Sequence, residues 1–206
     1  MIRFFKTPWI VRKWYPSLTW SFPDRQSIFL TFDDGPNPEV TEWVLDELDK
    51  LGAKATFFCE GNRIIRFPQL AQEVVRRGHA IGNHGFHHLS GWRTKDSLYL
   101  RDIKACDEAL NEVGIKSDLF RPPYGRIKKR QIHKLKSKRI IMWSYVSWDF
   151  DSEVSPEESI NRLKKAQSGD ILVLHDSPKA FKNLQVILPE ILFHFHTEGL
   201  KFEAIK

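Results

Sequence analysis

A chain of 206 residues, 41% hydrophobic and 28% charged, has the composition of an ordinary globular protein with one sizeable core, and it is short for two domains. Its two cysteines, Cys59 and Cys106, stand in no paired spacing, which argues against a disulfide scaffold and for two buried thiols. The net charge of +6 permits attraction to anionic partners without demanding it, and no run of about 18 apolar residues is present to cross a membrane.

Residues 1–26 mix Phe4, Phe5, Trp9, Trp14, Tyr15, Trp20 and Phe22 with Arg3, Lys6, Arg12 and Lys13. They hold no apolar run of signal-peptide length, so the expected location is the cytoplasm. The segment reads as an extension that packs on the following domain, with peripheral contact at an anionic inner membrane face as its other use. Pro8 and Pro16 argue against one long helix.

From residue 27 onward, short apolar runs alternate with amphipathic segments. Ser27–Phe32 predicts a strand and Glu39–Leu51 a helix with Val40, Trp43, Val44 and Leu48 on one face. Ala55–Cys59 is strand-like, Phe67–Arg77 helical, and Ala80–Gly82 a short strand before a histidine-rich loop. Ser97–Val113 predicts a long helix stopped by Gly114. Leu119–Phe120 runs into Arg121-Pro122-Pro123, which neither helix nor central strand accommodates. A basic helix over Lys128–Lys138, strands at Ile140–Trp143 and Tyr145–Trp148, and a helix over Pro156–Gln167 come next. The apolar strand Ile171–Leu174, a helix over Leu184–His194 and a strand at Lys201–Ala204 complete the chain. Such alternation predicts a parallel sheet covered by helices. Asp33-Asp34, Arg121, Asp149 and His175-Asp176 each follow a strand, and a barrel would converge them on one face.

Adjacent carboxylates at the end of a buried strand repel each other unless something compensates them. The loop Ile81–Trp92 supplies a reason in His84, His87 and His88. Two imidazoles and one carboxylate hold a divalent cation while leaving a position open, the composition of a catalytic zinc site. If Asp34 is the carboxylate ligand, Asp33 can stay ionised beside it as a base. The second imidazole can be His87 or His88, since both fall at helix-like spacing from His84.

TFDDGP (31–36), NHGFHH (83–88), RPPYG (121–125), WSYVSWDF (143–150) and LVLHD (172–176) together resemble the ordered motifs of the polysaccharide deacetylases, the NodB-homology domain of carbohydrate esterase family four. The resemblance spans roughly residues 27–204 and implies a distorted, TIM-like (β/α) barrel of about seven parallel strands, with 27–206 as the catalytic domain. It implies Asp34, His84 and His88 as ligands of a divalent metal, zinc foremost, with Co2+, Mn2+ and Ni2+ as the other candidates. It further implies Asp33 as general base oriented by Arg121, the Tyr124 backbone N–H as oxyanion donor, and His175 as general acid tuned by Asp149. Trp92, Pro122, Trp148, Phe150 and Val173 are the expected substrate-binding residues.

The chain departs from the family pattern at four places. Gly85 stands where Ser or Thr follows the first histidine, Val146 replaces an aspartate, Phe150 a tryptophan, and Val173 a leucine. The last two would reshape the acyl pocket. The basic stretch 126–139 lacks interleaved aromatics, so nucleic acid is not an expected partner. The expected activity is metal-dependent removal of an N-acetyl group from an amino sugar or glycan by a monomer. The alternatives are a deacylase or deformylase of a lipid-linked amino sugar and a catalytically silent carbohydrate-binding module.

Overall fold

The computed structural model describes residues 3–23 and 25–206. A short helix α1 (Trp9–Trp14) precedes the central strand β1 (Ser27–Asp33), all seven residues of which are buried. Then come α2 (Pro38–Asp49), β2 (Thr56–Cys59), α3 (Gly61–Arg66), α4 (Pro68–Arg76) and β3 (Ala80–Asn83). The long α5 (Asp96–Glu112) leads to β4 (Leu119–Phe120), a 3-10 turn at Pro123–Gly125, α6 (Lys129–Lys134), and the two-residue strands β5 (Arg139–Ile140) and β6 (Tyr145–Val146). Next are α7 (Pro156–Leu163), β7 (Ile171–His175), α8 (Phe181–Thr197) and β8 (Lys201–Phe202).

The strands run in the order β5-β4-β3-β2-β1-β7-β6 and pair in parallel, with β8 added beside the start of β1. Burial on both faces explains why β1, β2 and β7 are built on the apolar runs Ile28–Leu30, Phe57–Cys59 and Ile171–Leu174. The expected parallel barrel is present as a curled half-barrel of seven strands. Two elements depart from the periodicity. The segment expected as one helix over 67–77 is preceded by α3, and Phe67, non-helical ahead of Pro68 (φ −133°, ψ 58°), separates α3 from α4. The helix expected over 128–138 stops at Lys134.

Among the described residues β5 and β6 do not pair with each other, and the N-terminal segment occupies the seam between them. Thr19 donates its N–H to the Ile140 carbonyl (3.0 Å) and accepts from Met142 N–H (2.7 Å). Thr7 donates to the Ser144 carbonyl (2.8 Å), and Val146 donates to the Phe5 carbonyl (2.9 Å). Between these contacts the segment leaves the barrel wall as α1, whose Val11, with Tyr15 just beyond it, packs on a cluster that includes Leu18, Trp20, Phe120 and Met142. Cys59 and Cys106 are free and buried, as composition predicts.

Inside the barrel, β2 and β3 pass so closely that a Cβ on Gly82 would stand 2.5 Å from the Phe58 ring and 3.0 Å from the Leu119 Cβ. Phe58 has little freedom to yield, because the Arg121 guanidinium lies 4.1 Å over its ring. Gly82→Val is expected to lower the unfolding free energy by about 1–3 kcal/mol through overpacking. A urea denaturation series measures this, and an unchanged midpoint would mean that Phe58 moves aside freely.

Candidate active site

Parallel pairing carries the strand ends, and the polar residues that follow them, to one end of the barrel. Asp33 and His175 are register partners on the neighbouring strands β1 and β7, and Asn83 at the end of β3 pairs with Phe120 on β4. His84 and Arg121 therefore start side by side, one residue beyond the paired positions.

Arg121 is fully buried. Its Nη1 donates to Asp33 Oδ1 and to Thr31 Oγ1, both at 2.7 Å, while Nε and Nη2 donate to the carbonyls of Ile141 (3.2 Å) and Met142 (3.1 Å). A buried guanidinium is tolerable only when so fully satisfied. Burial alone would raise the Asp33 pKa, but the charge and hydrogen bond of Arg121, with the charge of His175 behind them, outweigh it, and the carboxyl stays below its ordinary range.

The Arg121 carbonyl accepts the Nδ1–H of His84 at 2.8 Å. That bond fixes the tautomer and leaves the His84 Nε2 lone pair facing inward. Burial holds His84 neutral, its pKa pushed down to about 4 despite Asp33 and Asp34 nearby. Its Nε2 lies 3.2 Å from His88 Nε2 and 3.7 Å from Asp34 Oδ1, and His88 Nε2 lies 3.3 Å from that same oxygen. Among the described residues these three form the one group able to hold a metal ion. A tetrahedral site with bonds of about 2.0–2.1 Å has ligand–ligand edges of about 3.3–3.4 Å, so the donors fit a zinc-sized cation. His87 is turned away: it is exposed, and its Nδ1 meets Asp102 Oδ1 at 2.8 Å.

Opposite the triad, His175 donates its ring Nδ1–H to Asp149 Oδ1 (2.7 Å) and its backbone N–H to Asp149 Oδ2 (2.8 Å). Burial works against the imidazolium, but the Asp149 charge and hydrogen bond, helped by Asp34 and Asp33, push the His175 pKa up to about 9. Behind the paired acids, Asp176 is buried against Gly35, where any Cβ would come within 2.1 Å of its carboxyl. Burial raises the Asp176 pKa well above the carboxylate range, and Thr41 Oγ1 donates to it.

These groups line or flank a cleft of about 670 Å³. Asp34, His88, Tyr124 and Trp148 are the non-glycine residues with positive φ (78°, 55°, 60° and 57°) among the described residues, and all four line it. Left-handed backbone at such residues is costly and collects at functional sites. Phe150 and Val173 line the cleft as expected, and so does Trp143.

Two expected substrate residues lie outside the cleft lining. Pro122 is buried and outside the cleft lining, because the turn it starts presents Tyr124 instead. Trp92 is tied by its Nε1–H to the Ile127 carbonyl (3.1 Å) and walls an adjoining apolar groove of about 250 Å³. Sequence reading also missed Asp102, which accepts from the N–H groups of Phe86 (2.9 Å) and His87 (3.1 Å) and so shapes the histidine loop. It lies on α5, and no local pattern marks it. Glu60, Arg63, Arg126 and Lys179 at the cleft wall were likewise unmarked. At the other end of the barrel, a concavity of about 740 Å³ lined by His79, Asp107 and Lys138 assembles no metal-binding group among the described residues.

Residues 22–142 match the family model described as polysaccharide deacetylase. The chain is 34% identical to a peptidoglycan-N-acetylglucosamine deacetylase of Bacillus cereus over 193 residues, covering 91% of each chain. It is 32% identical to the peptidoglycan-N-acetylmuramic acid deacetylase PdaC of Bacillus subtilis, over 75% of this chain and 33% of that protein. A crystal structure of a peptidoglycan N-acetylglucosamine deacetylase, in complex with a naphthalenyl-N-oxidanyl-benzamide, superposes with a TM-score of 0.88 at 28% identity, covering 97% of this chain and 95% of the other. The strand-end carboxylates, the histidine loop and the half-barrel that gathers them thus have one common origin: the chain belongs to the polysaccharide deacetylase family.

Proposed function

We propose that this protein removes the N-acetyl group from an amino sugar of a peptidoglycan-type glycan, using a zinc ion held by Asp34, His84 and His88. The observation that carries the reading is the placing of that donor triad between the Arg121-bound Asp33 and the Asp149-bound His175 in one cleft. The names of the relatives support the amino-sugar amide as the bond cleaved. A divalent cation there supplies positive charge beside the amide carbonyl and makes nearby water more acidic.

The chain's own residues do the rest. Asp33, kept ionised by Arg121, takes a proton from the attacking water as its oxygen adds to the amide carbon. The Tyr124 backbone N–H donates to the oxygen that gains charge. His175, held protonated by Asp149, gives its proton to the amide nitrogen as the C–N bond breaks, so acetate and a free amine leave. Trp148, Phe150 and Val173 wall the space for the acetyl methyl.

Base and ligand are separate tasks in this reading. Asp33→Asn is expected to lower kcat by about 10²–10⁴ while zinc content, measured by elemental analysis, stays at the wild-type level. Loss of the metal in that variant would overturn the division between the two aspartates.

The loop geometry makes a second prediction. His88→Ala should deplete zinc as severely as His84→Ala, whereas His87→Ala should keep it, because the His87 ring lies outside the triad, against Asp102 and Phe86. A zinc-replete His88→Ala protein would refute the triad.

The acid gives a third. His175 is charged below its raised pKa and loses its proton as pH rises through it, so activity should fall on the alkaline side. A cation beside Asp34 offsets part of the upward push, which puts the alkaline limb of kcat no higher than about 9. Asp149→Asn should move that limb downward by about a unit or more, and a pH–rate profile that keeps its limb would exclude Asp149 as the tuning group.

A further inference from the structure

The N-terminal segment carries an exposed surface that neither the fold nor the cleft uses. Phe4, Trp9, Ile10 and Trp14 are 57%, 71%, 43% and 63% exposed. At 100° per residue, Trp9, Lys13, Ile10 and Trp14 span an arc of about 140° on α1, and Val11, on the remaining side, packs on the core. Isolated exposed apolar side chains are ordinary, but several on one turn and a half of helix form a patch.

The segment's own charge has one sign, although Asp151, Glu153 and Glu158 stand at its Arg3 end. Residues 3–22 contain Arg3, Lys6, Arg12 and Lys13 and no Asp or Glu. Arg3 is paired with Asp151 and Glu153, but among the described residues Lys6 and Lys13 make no salt bridge and lie over the rings of Tyr145 and Trp9. Arg12 has Nε and Nη2 shielded from solvent and without a hydrogen-bond partner among the described residues. The patch continues onto α6, where Lys129 Nζ lies 5.7 Å over the Tyr15 ring, while Arg130 beside it is paired with Asp96. It reaches the cleft through the apolar groove, because Tyr124, Trp143, Val146 and Trp148 wall both spaces.

We propose that this face docks the enzyme peripherally on an anionic lipid surface, with Trp9, Ile10 and Trp14 at headgroup depth and Lys6, Lys13 and Lys129 against lipid phosphates. Tryptophan is the side chain that favours the boundary between headgroups and hydrocarbon, and surrounding lysines add attraction to anionic headgroups. A sugar-stacking platform is disfavoured, since residues 3–22 hold no Asn, Gln, Asp or Glu to bind hydroxyls beside the rings.

The test is co-sedimentation of the full chain with vesicles of mixed phosphatidylglycerol and phosphatidylcholine, and of phosphatidylcholine alone, at low and high salt. Binding is expected on the anionic vesicles at low salt, with loss at high salt. The double variant Trp9→Ser, Trp14→Ser and the single variant Lys13→Glu should each bind about tenfold or more weakly, while turnover of a soluble N-acetylglucosamine oligomer stays unchanged. If the double variant melts differently from wild type, Trp14→Ser alone serves in its place. Absence of anionic-vesicle binding at low salt overturns the proposal, as does undiminished binding by the tryptophan variant. Retention on insoluble glycan strands that disappears with the same substitutions also overturns it, by assigning the face to sugar.

Discussion

The Arg121–Asp33 ion pair is the constraint around which the rest of the site is built. Bringing two charges into the barrel costs several kcal/mol per ion, so the pair persists only with its remaining hydrogen-bonding positions filled. Thr31 on β1, the carbonyls of Ile141 and Met142, and the face of Phe58 on β2 supply this. Removing one partner of such a pair typically costs about 3–5 kcal/mol, more than most single side chains contribute. The same residue also orients the histidine loop, because its carbonyl accepts from His84 while its N–H is given to Asn83. One arginine thus sets the charge of one acid and the tautomer of the imidazole beside it.

Holding these groups in place requires unfavourable backbone. Each left-handed non-glycine residue costs on the order of 1–3 kcal/mol, and Asp34, His88, Tyr124 and Trp148 all carry that cost around one cleft. Buried polar contacts offset it. Asn37 Nδ2 donates to the Asp176 carbonyl (2.6 Å) and, at 3.2 Å, to the carbonyl of Asp34. Asn83 Oδ1 accepts from Gly85 N–H at 2.7 Å, and Asp102 holds the next two N–H groups of the histidine loop. The rigidity that pre-organises the cleft lies in this second layer of buried carboxyls and amides.

That division also explains what could be read from the sequence. β1, β2 and β7 were legible because burial on both faces builds them on apolar runs, and the reactive residues follow them directly. Their convergence followed from parallel topology. Asp102 was not singled out, since a buried acid looks like a surface acid until its partners, from distant parts of the chain, are known. The sequence could not choose between His87 and His88 without a family pattern, whereas in the structure His88 Nε2 lies beside Asp34 and His87 meets Asp102. α1 was hidden by Pro8 and by its brevity, and β5 and β6, at two residues each, are too short for any periodicity to mark the seam between them.

The way that seam is filled bears on how the molecule forms. Thr7 and Thr19 bond to residues roughly a hundred or more positions downstream. This segment is synthesised before its partners and must therefore wait, its aromatic side chains unpaired, until both short edge strands exist to receive it. Until then β5 and β6 present open backbone edges of the kind that recruit other chains. Closing the barrel is thus an act of chain return, and the time spent before that return is when the protein is most open to misassembly.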